Sequence, residues 1–148
     1  MKTFEWSPVF EIGVPEIDRD HREMVALTNA IRDALMAEQY ELSSRLIAEL
    51  LAAAKAHFER EEALLAHHGF PRLQRHVRYH VGLLDKAERM KRVCENVTGK
   101  HEIRDCYDEM LSFLVDDVVR GDYDFKSFLE EKGIAKTEPR LTLKARPK

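Results

Sequence analysis

Apolar residues recur along most of the chain at steps of three and four, the period of a helix that buries one face. After an extended leader over residues 1 to 16, which holds Pro8, Gly13 and Pro15, Asp18 is placed to cap a first helix reaching about Glu38. Its stripe reads Ile17, His21, Met24, Thr28, Ile31, Leu35. A second helix from about Leu42 to His67 carries Leu46, Leu50, Ala53, His57, Glu61 and Leu64 and stops at Gly69. Pro71 opens a third, continuing to about Asn96, with Leu73, His76, His80, Leu83, Ala87, Met90 and Cys94 in line. After Thr98-Gly99 a fourth spans roughly 101 to 119 with Ile103, Tyr107, Met110, Leu114 and Asp117, ends near Gly121, and is followed by a short helical piece around Phe125 to Glu131. No strand-like alternation and no internal repeat interrupts this. Four such helices with short connections predict an all-α fold, an up-down-up-down antiparallel four-helix bundle.

Every one of the four stripes contains residues that do not belong in an apolar core. His57 and Glu61 are four apart, as are His76 and His80, so each pair stands on one helix face a turn apart. A single inward histidine is most often a core imidazole bonded to a backbone carbonyl. Four histidines and two acids facing inward would leave several buried polar groups unpaired, each costing roughly 1–3 kcal/mol. Cations remove that cost, and divalent iron accepts imidazole and carboxylate together. Asp122, five residues past Asp117, reads from spacing alone as a surface or cap residue; its place at the end of the same stripe makes it a second carboxylate able to bridge a pair of cations.

The remaining composition narrows the picture without redirecting it. A length of 148 residues fits one domain with its own core, placed at residues 1–134, with 135–148 expected to be a disordered tail. Hydrophobic residues at 44% and charged residues at 34% give a soluble balance, and no apolar run suffices for a membrane span. The first residues lack a secretory pattern, so a cytoplasmic protein is expected. A net charge of -3 with mixed signs excludes a nucleic-acid stripe, and the cationic tail residues Arg140, Lys144, Arg146 and Lys148 read as a frayed terminus. Cys94 and Cys106 lack metal-type spacing and are expected as reduced, buried thiols, a regulatory disulfide being the alternative. His67, His68 and His101 fall at helix ends and read as surface or cap residues.

Several segments carry a family resemblance. Val14-Pro15-Glu16-Ile17-Asp18-Arg19-Asp20-His21-Arg22, His57-Phe58-Glu59-Arg60-Glu61-Glu62, Phe70-Pro71 followed by His76 and His80, and the leader around Trp6 and Phe10 resemble bacterial hemerythrins over about residues 6 to 131. The resemblance implies two iron ions, Fe2+ or Fe3+ and oxo- or hydroxo-bridged, with His21 and His57 on one, His76 and His80 helping to bind the other, and Glu61 and Asp122 bridging. It also implies dioxygen or a similar small ligand as partner, bound end-on at the iron with fewer protein ligands, with Phe113 and Leu114 resembling the lining of its pocket.

The sequence departs from the family at Asp117, which stands where a fifth histidine is usual. Either it ligates, giving one iron two histidines and an aspartate, or the shorter side chain falls short and water fills the gap. An oxygen-binding protein is therefore the first reading and a di-iron enzyme reducing peroxide or another small oxidant the second, favoured by the extra carboxylate. A metal-free interaction module is disfavoured by the inward ligands. A ferritin-like centre is disfavoured by the lack of any Glu-x-x-His pair.

Overall fold

The computed structural model describes residues 1–136, apart from the side chains of Asp122 and Tyr123. The tail expected beyond the domain therefore lies, from residue 137 onward, outside the described residues. Four long helices form the bundle: α1 Pro15–Met36, α2 Tyr40–His67, α3 Leu73–Glu95 and α4 Lys100–Val115. A fifth, α5 Asp122–Glu131, follows a π-helical turn over Asp116–Gly121. Connections of a few residues reverse the chain each time, and α1 and α3 each pack against both α2 and α4, closing the up-down-up-down ring. Among the described residues no helix is long and apolar enough to cross a membrane.

Three details differ from the sequence reading. Asp18 lies inside the first turn of α1, not at its cap, and reaches back to accept the backbone N–H groups of Ile12 (2.7 Å) and Gly13 (3.0 Å), pinning the leader to the helix. Gly121 does not end a helix, because the chain continues through the π turn into α5. It is small because Tyr79 lies against it: a Cβ there would meet Tyr79 Cε2 at 3.1 Å. Cys94 and Cys106 are bonded as a disulfide between α3 and α4. These antiparallel helices are joined by so short a link that residues near its two ends face each other, a proximity that the spacing of the two cysteines does not reveal.

The leader closes one flank. Phe4 exchanges backbone hydrogen bonds with the Asn29 amide (2.8 and 2.9 Å), and Tyr107 donates its hydroxyl to the Lys2 carbonyl (2.6 Å). Gly13 takes φ +92° where its carbonyl accepts Lys136 N–H at 3.0 Å, and a Cβ there would sit 2.5 Å from Lys136 backbone, so only glycine fits.

The buried apolar residues fall into two groups. The larger includes Met24, Ile31, Leu35, Leu50, Phe58, Leu83, Met90, Met110, Phe113 and Leu114. The smaller, at the other end, includes Ile12, Ile17, Leu65, Phe70, Phe125 and Leu129. On α1, on α2 and across the π turn a buried polar residue marks the boundary between the two groups: His21 between Ile17 and Met24, Glu61 between Phe58 and Leu65, Asp117 between Leu114 and Phe125. The bundle is thus two apolar lobes separated by a polar layer.

Candidate metal centre

That layer gathers six side chains, none more than 2% exposed: His21 from α1, His57 and Glu61 from α2, His76 and His80 from α3, and Asp117 from the π turn. Helical spacing of four stacks each pair on α2 and α3 toward one point. Glu61 lies at the middle. Its Oε1 is 2.7 Å from His76 Nε2 and 2.9 Å from His80 Nε2, while its Oε2 is 3.3 Å from His57 Nε2. His21 Nε2 and His57 Nε2 face each other at 3.0 Å, and Asp117 Oδ2 lies 3.6 Å from the first and 3.7 Å from the second. Two overlapping groups result, His21, His57 and Glu61 on one side and Glu61, His76 and His80 on the other, each with donor atoms within 4.8 Å of one another.

Behind the rings stand carboxylates that the apolar stripes do not announce. Asp20 Oδ2 accepts His57 Nδ1 at 3.2 Å and is itself gripped by Arg60, whose Nε and Nη2 each donate at 2.8 Å. Glu62 Oε2 accepts His80 Nδ1 at 2.6 Å, and Asp124 Oδ2 lies 3.5 Å from His76 Nδ1. A carboxylate on the far nitrogen fixes which ring nitrogen faces inward and raises its basicity. The one sequence signal for these partners is an acid adjacent to an inward residue, as in Asp20-His21 and Glu61-Glu62. Aromatic rings wedge the imidazoles: Phe58 stacks on His80 at 4.1 Å, and Phe125 meets His76 edge-on at 5.1 Å.

The charges are strongly coupled. Burial opposes a charged imidazole at His57, but the surrounding Asp117, Asp20 and Glu61 carboxylates outweigh it and raise its pKa to about 10. Burial, reinforced by that neighbouring cation, lowers His21 to about 3. Glu61 is held well below the usual carboxylate range despite complete burial, because His57, His76 and His80 surround it. Burial pushes Asp117 upward against the pull of His57. Asp20 also resists burial, falling to about 2 through His57 and Arg60.

A cation pair suits this donor set. Glu61 Oε2 and Asp117 Oδ2 are buried and accept no hydrogen bond from the described residues, an arrangement that costs free energy unless a positive charge lies between them. Imidazole nitrogens and carboxylate oxygens in this proportion match borderline transition metals such as iron.

Of the residues singled out in the sequence, His21, His57, Glu61, His76, His80 and Asp117 converge here. The side chain of Asp122 lies outside the described residues. Phe113 and Leu114 are fully buried in the larger lobe, one turn from Asp117. His67 and His101 are exposed, away from the layer, as expected of helix-end histidines.

The profile described as the Hemerythrin HHE cation binding domain matches residues 12–120. A bacteriohemerythrin of Clostridium acetobutylicum is 30% identical over 117 residues, 76% of this chain and 87% of that protein. A bacteriohemerythrin of Stenotrophomonas maltophilia is 28% identical over 125 residues, 82% of this chain and 78% of its own length. One from Pseudomonas paraeruginosa is 27% identical over 75 residues, about half of each chain at 51% and 49%. No solved structure matches significantly. With a polar layer of four histidines and shared carboxylate set between two apolar lobes, and a profile match over most of its length, this chain belongs to the hemerythrin family of cation-binding domains.

Proposed function

We propose that the layer holds two iron ions and binds dioxygen or a similar small ligand. His21 and His57 hold one ion, His76 and His80 the other, and Glu61 and Asp122 are shared, with Asp117 as a further ligand. The observation that carries this reading is the division of Glu61, one oxygen toward each histidine pair. Iron so held supplies a change of oxidation state and a coordination position for a small molecule. The protein's part is to orient and to exclude. Asp20 and Glu62 fix the rings of His57 and His80 with their inner nitrogens toward Glu61. Phe58, Phe113, Leu114 and Phe125 keep bulk water from the layer.

Iron analysis with a visible spectrum tests the proposal. Two irons per chain, and a reduced protein that colours in air and bleaches when oxygen is removed, are the expected result. Absence of iron after anaerobic reconstitution overturns it.

A second reading, reduction of peroxide or another small oxidant, is favoured by the Asp117 carboxylate. An added anionic ligand stabilises the ferric state electrostatically and makes the reduced site easier to oxidise. Asp117→His is then expected to slow autoxidation, followed by the visible spectrum in air. An equal or faster rate in the variant removes the support for this reading.

A further inference from the structure

Asp117 approaches the α1/α2 side of the layer. Among the described residues its carboxylate comes within 4 Å of His21 and His57 and of no other histidine. Its backbone is firmly placed. The preceding residue, Asp116, has its carbonyl bound by the Tyr79 hydroxyl at 2.7 Å, and its carboxylate is held by Lys86 at 2.5 Å and Arg120 at 2.8 Å. The direction of Asp117 is therefore built into the π turn. His21, His57 and Glu61 group at one position, and Asp117 Oδ2 adds a fourth donor 3.6 and 3.7 Å from its two imidazole nitrogens. Only three described atoms face the other: Glu61 Oε1, His76 Nε2 and His80 Nε2. A bridging carboxylate from Asp122 would add one oxygen to each side and leave the difference intact.

We propose that Asp117 ligates the cation held by His21 and His57, so that the open coordination position, and with it the binding site for a small anion, belongs to the cation held by His76 and His80. The proposal rests on the two-cation reading above. Charge reinforces the ligand count. Among the carboxylates that face the layer directly, the α1/α2 position has Asp117 besides its share of Glu61 and the α3 position has only that share, so direct ligand charge favours an anion at the α3 position, where Glu62 and Asp124 act only through the far nitrogens of His80 and His76.

Cobalt(II) and azide serve as probes, with the full chain in two backgrounds: His76→Ala/His80→Ala, which leaves the α1/α2 position, and His21→Ala/His57→Ala, which leaves the α3 position. Adding Asp117→Ala is expected to weaken Co2+ binding at least about tenfold in the first background and less than about threefold in the second. Azide is expected to shift the cobalt d–d bands only in the second. The reverse pattern, in affinity or in azide response, overturns the proposal while leaving two-cation binding intact. Failure of the unsubstituted chain to take up Co2+ overturns both. Should either background fail to fold by circular dichroism, Asp117→Asn in the otherwise intact di-cobalt protein gives the answer by paramagnetic NMR. The hyperfine-shifted ring protons of His21 and His57 are expected to move while those of His76 and His80 hold, and movement of the latter pair alone overturns the assignment.

Discussion

Replacing Asp20 by Ala separates the buried His57 ring from the carboxylate that orients it. Asp20 meets the layer through the His57 ring, accepting His57 Nδ1 at 3.2 Å, and is forked by Arg60 at 2.8 Å twice. Arg60 is half exposed at 49% and can return to water once its partner is gone, whereas the His57 ring is 0% exposed and cannot. The loss is therefore concentrated on one buried imidazole N–H, at about 1–3 kcal/mol for an unsatisfied buried donor. Two measurements divide it. In the chelator-treated protein, denaturation should show a stability loss of that order. In metal titration, the ring is now free to rotate or to take the wrong tautomer, and the affinity of the His21/His57 position should fall about 10- to 100-fold, while that of the His76/His80 position stays within a few-fold. Competition against a chromophoric chelator reads both. A change below twofold at the first position, or equal weakening of both, would mean that Asp20 merely covers the surface of α1.

Further outcomes follow from the same geometry. Glu61→Gln removes the negative charge shared between the two histidine pairs, and metal analysis should show at most one tightly held ion per chain; two ions with unchanged affinity would contradict the central role of Glu61. The Cys94→Ala/Cys106→Ala variant should lose about 3 kcal/mol of stability in chemical denaturation, the entropy of closing a loop with a sequence separation of 12. No loss relative to the parent under non-reducing conditions would show that the thiols are free in solution. The metal-free protein should also report Asp20 by its acid response. The folded pKa of about 2 lies below the ordinary 3.8, so its stabilisation is complete above pH 3.8 and disappears as pH falls toward 2. The stability difference between the parent and Asp20→Asn should shrink over that window, and a difference constant through it would refute the assignment.

The bundle and the inward ring of histidines and carboxylates were legible because both depend on one helical period. His21, His57, Glu61, His76 and His80 stand out as polar residues on stripes that are otherwise apolar, and no alignment of chain segments in space is needed to see it. What stayed hidden depends on tertiary approach. The π turn exists where Tyr79 of α3 reaches the Asp116 carbonyl and lies on Gly121, contacts between residues 37 and 42 positions apart. The disulfide depends on how α3 and α4 face each other at their short connection. Asp20, Glu62 and Asp124 stand off the stripes, on the flanks of their helices, and only the packing of a neighbouring ring against each shows why it is an acid. The spacing places Asp117 inward, but which histidine pair it approaches is a matter of a few ångströms set by the turn that carries it.

The π turn has one more consequence. A continuous α-helix advances about 100° per residue, so the eight positions from Asp117 to Phe125 would leave Phe125 some 80° out of phase with the metal-facing side. Spreading one additional residue over Asp116–Gly121 absorbs most of that offset. Phe125 and Leu129 thereby plug the smaller lobe although they belong to a helix phased differently from α4. The turn works as a gear between two frames: rewinding Asp116–Gly121 as regular α-helix with no residue removed would swing both side chains by about 100° and open the floor beneath His76.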